Sequence, residues 1–506
     1  MKLGILFGAG AEIDYGLPSG GEFALDIFRQ DTNKSKEKFK QIRDSIDYST
    51  HYATYWLPND YATKSVSSYG KSAFETIIRD TIEHNRGKII AKFNDFDNIA
   101  KKEEKKLVKK YNKSVTKIIE EKLGQDIAKL KMAQVISFVD IFKEGNKIFN
   151  SNYFPAMLLL YKDKNLLSEN VRNELRKIII SIFQLQIGSL SQNLTRRIND
   201  GIFATKDDSI DLLDDIGDII QLNYQSTGLS GLEYVIENKK IDLNSDDNVI
   251  LYFCKKIIET IYSSALDYKS LIDSNWHYLY CPKDEWAKFC KINIFLITVR
   301  QYMLNHSYMI KKKIKNGYYH DLKQAIDKKN VVSSIATTNY NTFISDVLGE
   351  KIYFLNGSTE IWYDPYLNRI GKKSDLENDE KHFLVPLLFT QSGTKPMTSI
   401  EMSMQYVNMY KNFKKSDAIC VVGFGFNLDD EHINGILRTL IDGNNKKMVV
   451  VDIEKGIPIQ QRINAIADKL KVQNIGNIKM LLVNKNREVD NTNWLKKLQQ
   501  ILEVEN

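Results

Sequence analysis

The sequence predicts an α/β protein with a Rossmann-like parallel sheet flanked by helices and a large all-helical insertion. Three observations predict this class. The chain opens on a short apolar run that turns at once into a glycine-rich segment. Strand-like apolar runs return only after about residue 320, where they alternate with helical segments. Between these regions, apolar residues recur at helical spacings.

The opening run is typical of a strand buried on both faces of a parallel sheet, because Leu3, Ile5 and Leu6 have almost no polar neighbours. A turn without bulky side chains follows at Gly8, Ala9, Gly10 and Ala11. We expect the next helix to present free N–H groups to a phosphate there, which predicts a nucleotide-binding turn. Ile13 stands where G-x-G-x-x-G has its third glycine, so a tight structural turn is the alternative.

A second segment of special backbone, Gly16-Leu17-Pro18-Ser19-Gly20, can fold over whatever the first turn holds. The helical period resumes at Glu22–Phe28.

Residues 29–319 then form the predicted helical insertion, in which no repeat of fixed period occurs. We expect partner or self contacts in the insertion. Its predicted helices are Lys105–Leu130, a face from Val171 to Leu185, Asp211–Leu222, Val249–Ala265 and Trp286–Leu304.

Apolar, β-branched runs then predict the remaining strands, and helices are predicted between and after them. The helices are Asp321–Lys329, Thr342–Leu348 and Trp494–Leu502. The predicted strands are Val331–Ala336, Lys351–Leu355, His382–Phe389, a strand and glycine turn in Asp417–Phe426, Lys447–Asp452 and Ile478–Val483. Polar residues follow two of these strands directly, namely Thr338, Asn339 and Asn341 after the first, and Asn356 with Gly357 after the second. Because ligands bind at the carboxyl ends of such strands, these segments are predicted to converge on one crevice.

Together these motifs resemble the sirtuin-like family, in the form found in bacterial defence proteins. The motifs that show the resemblance are GAGA-x-x-x-x-GLPSG, the segments Thr-Thr-Asn-Tyr-Asn and Leu-Asn-Gly-Ser, and the later glycine turn and strand. The resemblance covers about residues 1–28 and 320–455. The resemblance implies a discontinuous NAD-binding domain, 1–28 with 320–485, around the insertion 29–319, and a C-terminal helix at 486–506. Glu12 departs from the family's small serine.

The resemblance also implies the site residues. Asn339 would fix the nicotinamide ribose or the attacking water, and Asn341 takes the place of the aspartate that holds the carboxamide. Asp452 would accept from the adenosine ribose hydroxyls, unless it is a strand-terminating turn residue. The implied catalytic positions are Asn339 and Asn356, and the implied NAD contacts are Gly8, Ala9, Gly10, Ala11, Leu17, Pro18, Thr338, Asn339, Asn341, Gly357, Gly423, Phe424, Gly425 and Asp452.

Asn356 stands where the family has its catalytic histidine, and an amide has no useful basicity. Three explanations stay open. Another base acts, with His382 and His432 the nearest candidates in the sequence; the protein binds without catalysis; or the residue is a histidine-to-asparagine change made to silence a toxic activity.

The implied function is an NAD+ glycohydrolase that cleaves NAD+ to nicotinamide and ADP-ribose in anti-phage defence by abortive infection. The alternative is an inactive NAD- or ADP-ribose-binding module whose insertion assembles a defence complex. The family implies a homo-oligomer and a trigger such as a HerA-type ATPase, an Argonaute-type sensor or a phage protein.

The cysteine content, the hydropathy and the charge of the chain limit which kinds of protein it can be. The four cysteines form no C-x-x-C pair, so no metal is expected, and no apolar run long enough for a membrane span or leader occurs, which predicts a cytoplasmic protein. The net charge of +7 includes lysine clusters at 101–106 and 311–313. Such clusters are more typical of solvated helix faces than of a nucleic-acid groove, since no basic-aromatic module accompanies them.

Overall fold

A computed structural model describes residues 2–13, 15–18, 20–70, 85–131, 147–189, 209–211, 221–223, 234–237, 240–264, 266, 268–313, 316–328, 331–377, 381–388, 399–454 and 456–503. The strands are β1 (Lys2–Phe7), β2 (Ser209–Asp211), β3 (Gln221–Asn223), β4 (Val332–Thr337), β5 (Ile352–Phe354), β6 (Gly357–Asp364), β7 (Arg369–Gly371), β8 (Val385–Leu388), β9 (Ala418–Val422), β10 (Met448–Ile453), β11 (Ile478–Val483), β12 (Glu488–Val489) and β13 (Thr492–Asn493). The α-helices are Gly10–Ile13, Gly20–Phe28, Asn33–Asp44, Arg86–Asn94, Phe96–Tyr111, Val115–Leu123, Tyr153–Lys162, Glu169–Ser189, Asp246–Ser263, Tyr268–Asn275, Trp286–Lys313, Tyr318–Asp327, Phe343–Leu348, Lys373–Leu376, Ile400–Lys414, Glu431–Arg438, Ile459–Leu470 and Trp494–Glu503.

The central sheet has six parallel strands in the order β11-β10-β9-β1-β4-β5. The chain runs outward from β1 through β4 and β5, returns to the other side of β1 at β9, and runs outward again through β10 and β11. This is the strand order of the doubly wound dinucleotide-binding fold, whose topological switch point lies between β1 and β9. The predicted fold class is confirmed.

The position of β1 at the centre of the sheet explains its apolar sequence. On one face, Leu3, Ile5 and Phe7 are fully buried in a core that includes Trp494 of the C-terminal helix. On the other face, Gly4 lies under the ring of Phe413, which a Cβ atom would approach to 2.7 Å. Both faces of β1 are therefore covered, as the apolar run predicts.

The chain divides into two compact units, Met1–Ser19 with Gln30–Tyr69 and Lys269–Asn506, and Gly20–Arg29 with Gly70–Tyr268. These units do not follow the predicted domain bounds, because residues 30–69 and 269–319 belong to the unit that contains the sheet. Aromatic packing holds them there: the ring of Phe39 stacks on that of Phe383 at 4.4 Å, and Phe289 packs against both.

The described residues of the second unit form helices and one short ribbon of two strands. Inside it, Arg29 forms a buried ion pair with Glu259 at 2.6 Å. The predicted helix Asp211–Leu222 is wrong at both of its ends, which belong to the antiparallel strands β2 and β3 with Ile210 opposite Leu222; residues 212–220 lie outside the described residues. This ribbon also interrupts the predicted all-helical character of the insertion.

The predicted helix Lys105–Leu130 is divided in two. Asn112 adopts the left-handed conformation at φ 54°, which ends the helix Phe96–Tyr111. Ser114 then caps the next helix by accepting a hydrogen bond from the Lys117 N–H.

A second sheet, β7-β6-β8, is antiparallel and follows directly after Asn356. The predicted strand His382–Phe389 is shorter, Val385–Leu388, and belongs to this sheet. Phe389 and the predicted loop 390–396 lie outside the described residues. Within the described ranges, no helix is long and apolar enough to cross a membrane.

Candidate functional site

The switch-point site comprises the segments that follow β1, β4, β5, β9 and β10 at the carboxyl end of the sheet. Its centre is a contact between two glycine turns: the Gly8 N–H donates to the Val422 carbonyl at 2.9 Å, and the Gly10 N–H donates to the Gly423 carbonyl at 2.8 Å. Gly423 has φ +66°, and a Cβ atom there would lie 2.2 Å from the Ala11 nitrogen. Glycine is required because the two backbones touch.

These contacts use most donors of the β1 turn. The Ala11 N–H donates to the Gly8 carbonyl and the Glu12 N–H to the Ala9 carbonyl, both at 3.1 Å. Within the described part of the chain, Ala9 has the only N–H between residues 8 and 12 that no acceptor engages, and Ala9 is exposed. The helix that follows has only four residues, Gly10–Ile13. The expected set of free N–H groups is therefore reduced to that of Ala9.

The second glycine segment folds back on this short helix. The Leu17 N–H donates to the Glu12 carbonyl at 3.2 Å, after Gly16 has turned the chain at φ +84°. Leu17 packs against the sheet core, and Leu17 and Pro18 are both half-buried. The structure thus brings this segment to the β1 turn.

Asn339 connects β4 to the β1 turn. Its Nδ2 donates to the Gly8 carbonyl at 3.1 Å and to the Tyr319 hydroxyl at 3.2 Å. These two bonds, together with a contact to the Glu12 carboxylate, occupy the N–H groups of the amide, and no donor among the described residues bonds its Oδ1. Thr338 holds the same loop in place by donating its N–H to the Phe7 carbonyl at 3.0 Å. Asn339 therefore keeps one acceptor for a further partner.

Glu12 lies beneath Asn339 and is 5% exposed. Its Oε1 accepts from the Tyr319 hydroxyl at 2.8 Å, and its Oε2 accepts a short hydrogen bond from Asn341 Nδ2. Burial raises the pKa of Glu12 to about 7, against the lowering effect of the donors Tyr319, Asn341 and Asn339. The switch-point site thus contains a buried carboxyl group that changes its charge near neutral pH.

Asn341 is held at both ends of its amide. Besides donating to Glu12, it accepts at Oδ1 from the Phe343 N–H at 3.0 Å. The second N–H of Nδ2 bonds no acceptor among the described residues.

Asn356 follows β5 and is 5% exposed. Its Nδ2 donates to the Thr338 carbonyl at 3.1 Å, so it lies beside the loop that carries Asn339. The next residue, Gly357, has φ +81°, and a Cβ atom there would lie 2.0 Å from the Leu387 carbonyl oxygen. Glycine at 357 is explained by this close approach of β6 to β8.

The two histidines considered as alternative bases lie in different surroundings. His382 bonds Asp364 through Nδ1 at 2.7 Å and packs on Tyr52, at the end of β6 that lies about 20 Å from Gly357. His432 packs edge-on against Tyr406, whose hydroxyl donates to the carbonyl of Leu355, the residue before Asn356. His432 is therefore the nearer of the two to the switch-point site.

The β10 side of the site is more open. Gly423 and Phe424 follow β9, Gly425 is exposed, and its carbonyl accepts from Lys469 Nζ at 3.0 Å. Asp452 is the penultimate residue of β10 and pairs through Oδ2 with Arg462, while its Oδ1 accepts from the Ile453 N–H at 2.7 Å. Both oxygens of its carboxylate therefore have partners within the protein.

The structure brings Gly8, Asn339, Asn341 and Asn356 together around adjoining loops. Sequence reasoning missed Tyr319, the central donor of the network, and treated Glu12 only as a departure from a motif. A signal for Glu12 is present in the sequence: it is an acidic residue within an otherwise apolar, glycine-rich run. Tyr319 gives no comparable signal, because adjacent aromatic residues such as Tyr318 and Tyr319 are common in core helices.

Within the described ranges, no group of three or more His, Cys, Asp and Glu residues could hold a metal ion.

No family model matches the sequence, and no curated protein is similar to it. The resemblance to the sirtuin-like family therefore stays a prediction, and the fold and the network of Glu12 define the class of protein: a Rossmann-like α/β protein with a polar site at its topological switch point.

Proposed function

We propose that this chain is an NAD+ glycohydrolase, which binds NAD+ at the switch-point site and cleaves the bond between nicotinamide and ribose. The observation that carries the proposal is the acceptor of Asn339, held beside the β1 turn by two hydrogen bonds from its own Nδ2. An acceptor at this position can bind a ribose hydroxyl or a water molecule. The strand order supports a dinucleotide as the ligand.

The chemistry suits a site of neutral groups. The nicotinamide of NAD+ carries a positive charge in the bound substrate and leaves as a neutral base, so its departure needs no proton donor. Positive charge then develops on the ribose, and water adds its oxygen to the ribose carbon and releases a proton to solvent. Asn339 would orient the ribose or the water, Asn341 would bind the carboxamide, and Asp452 would accept from the adenosine ribose.

The resemblance to the sirtuin-like family supports the biological setting. It favours a cytoplasmic effector of anti-phage defence that works as a homo-oligomer and depletes NAD+ when triggered. A HerA-type ATPase, an Argonaute-type sensor or a phage protein would supply the trigger.

The second candidate is a module that binds NAD+ or ADP-ribose without turnover. One observation favours it: the residue at the predicted catalytic position, Asn356, has no basic group and donates to the Thr338 carbonyl. Ligand binding would then regulate the assembly of a complex through the helical insertion.

Nicotinamide release from NAD+ separates the two candidates. The full chain and its Asn356→His variant are incubated with NAD+, with and without candidate triggers, and NAD+ binding is measured in parallel. We expect Asn356→His to release nicotinamide about 10²–10⁴ times faster than the parent chain, since a histidine can accept the proton of water. Adding Asn339→Ala to that variant should remove the gain.

Binding without release in either chain would favour the binding module. If neither chain binds NAD+ nor releases nicotinamide, both candidate functions are wrong.

A further inference from the structure

The strongest unassigned feature of the switch-point site is the buried carboxyl group of Glu12. We propose that Glu12 is a positioning residue: its carboxylate, acting on Asn339 both directly and through Tyr319, holds the Asn339 amide with Oδ1 as the group offered to the ligand, so that dinucleotide binding depends on the charge of Glu12. The proposal rests on the proposed function, because it concerns how the same site holds its ligand.

The direction of each hydrogen bond carries the first step. Tyr319 donates its hydroxyl proton to Glu12 Oε1 at 2.8 Å. With that proton committed, the Tyr319 oxygen can act only as an acceptor toward Asn339, and Asn339 Nδ2 lies 3.2 Å from it. The second N–H of Asn339 goes to the Gly8 carbonyl at 3.1 Å. The Gly8 carbonyl and an ionised Glu12 therefore favour the same orientation, in which Asn339 keeps Oδ1 for a partner.

Asn341 fixes the other oxygen of Glu12. It donates to Oε2 and accepts from the Phe343 N–H at 3.0 Å. Turning this amide over would lose both bonds, so Asn341 continues to present a donor to Glu12. A protonated Glu12 must therefore place its proton on the side of Tyr319.

Protonation of Glu12 reverses the direction of the hydrogen bonds on the Tyr319 side of the carboxyl group. The Tyr319 oxygen would accept from Glu12, and its own hydroxyl proton would need an acceptor. The Asn339 amide presents an N–H there, so the Tyr319–Asn339 bond is lost unless the amide turns over. Turning it over gives up the bond to the Gly8 carbonyl and leaves an N–H group where the ribose hydroxyl or water requires an acceptor. In either case the Asn339 acceptor is held by fewer hydrogen bonds than when Glu12 is ionised.

The surroundings of Glu12 contain few other charges. Burial raises the pKa of Glu12 to about 7 and that of Tyr319 well above its usual value. Beyond Tyr319, the Tyr15 hydroxyl lies 3.1 Å from His320 Nδ1, and Asp321 and Arg487 act on both of these groups. Burial lowers the pKa of His320, so His320 gains its charge below its usual range and Glu12 is the group that titrates near neutral pH.

The test is calorimetric titration of the full chain with ADP-ribose, which is not turned over, between about pH 6 and about pH 8. We expect the dissociation constant to rise about tenfold as the pH falls across this range, because the ionised fraction of Glu12 falls by that factor around a pKa of about 7. Glu12→Gln should remove this pH dependence, because an amide does not titrate.

Two tyrosine variants separate positioning from packing. Tyr319→Phe keeps the ring and Glu12 but removes the hydroxyl that joins Glu12 to Asn339, leaving only the direct contact between these two side chains, so we expect a pH dependence clearly smaller than tenfold. Tyr15→Phe is the matched control. It removes a neighbouring hydroxyl that accepts from the Tyr319 N–H at 2.8 Å and leaves the bonds among Glu12, Tyr319 and Asn339 intact. The tenfold dependence should persist in this control, and a folded Tyr319→Phe keeps the test decisive if Glu12→Gln does not fold.

Each result either supports or contradicts the positioning role of Glu12. Binding that keeps its pH dependence in a folded Glu12→Gln, that keeps the full tenfold dependence in Tyr319→Phe, or that tightens as the pH falls, contradicts the positioning role alone. An absence of ADP-ribose binding at every pH contradicts the proposed function and this inference with it.

Discussion

On the β1 side of the switch-point site the carboxyl group of Glu12 is buried among neutral donors, whereas on the β10 side the carboxyl group of Asp452 pairs with Arg462 and its side chain is 35% exposed. A carboxylate among neutral donors has to offset its desolvation with hydrogen bonds alone, which ties its charge to the orientation of the amides around it. The Asp452 carboxylate is under no such constraint, because water and Arg462 both stabilise its charge.

This difference separates two kinds of contribution to one site. The β1 side is an interlocked network in which each amide has one favoured orientation, so changes there should alter several groups at once. On the β10 side, a substitution should affect only the residue that is changed and its direct partner. The two sides touch at Gly423, where the largest effect is expected.

Gly423→Ala should destabilise the protein by at least about 3 kcal/mol. The new Cβ atom would overlap the Ala11 nitrogen, and φ +66° adds conformational strain. Gly456→Ala is the matched control, since Gly456 has φ +69° with nothing within 4 Å of the added atom, and it should cost only about 1 kcal/mol. Denaturant unfolding of both variants measures the difference, and equal costs would mean that the two glycine turns do not touch.

Glu12→Gln should change how stability varies with pH. The folded pKa of Glu12 is raised from 4.5 to about 7, so the stability that its protonated form provides is complete below about pH 4.5 and is lost as the pH rises through about 7. The loss amounts to about 3 kcal/mol for such a shift. Unfolding free energies across this range should show the loss in the parent chain and in Tyr15→Phe.

The Glu12→Gln variant should lack that component. Parallel curves for the parent chain and Glu12→Gln would indicate that the Glu12 carboxyl titrates as an exposed group does.

Asp452→Asn should have the smallest effect on stability, about 0.5–1 kcal/mol, as for other partly exposed ion pairs. Arg462→Met breaks the same pair but keeps the carboxylate. If Asp452 accepts from the adenosine ribose, Asp452→Asn alone should also weaken ADP-ribose binding, by about fivefold. Equal binding by the two variants would assign Asp452 to the turn only.

The sheet could be predicted because a strand in a buried parallel sheet carries its own signal. The runs at 3–6 and 418–422 are apolar on both faces, the run at 331–336 is mostly apolar and β-branched, and each became a strand of the central sheet. The split of the helix predicted over Lys105–Leu130 was visible in the turn and capping residues Asn112 and Ser114, which were overlooked. The ribbon of β2 and β3 depends on pairing between two short strands, which periodicity within one segment does not indicate.

The site could be predicted only in part. The placement of Asn339 and Asn356 follows from a local rule, since each comes directly after a strand. The network of Glu12 depends instead on Tyr319, more than 300 residues further along the chain, and on a helix that places its hydroxyl against the β1 turn. No local sequence pattern predicts this long-range contact. No local pattern predicts either that most N–H groups of the β1 turn bond to carbonyl groups of the protein itself.

The most direct test of the account is ADP-ribose binding to Asn339→Ala, compared with Asn412→Ala as a control. Asn412 is also part-buried and donates to a tyrosine hydroxyl, that of Tyr353 at 2.7 Å, but it lies on the helix Ile400–Lys414. We predict that the parent chain and Asn412→Ala bind one ADP-ribose per chain with equal affinity and that Asn339→Ala binds at least about tenfold more weakly. Equal affinity in all three chains, or no binding to the parent chain, would contradict the placement of a dinucleotide at the switch-point site.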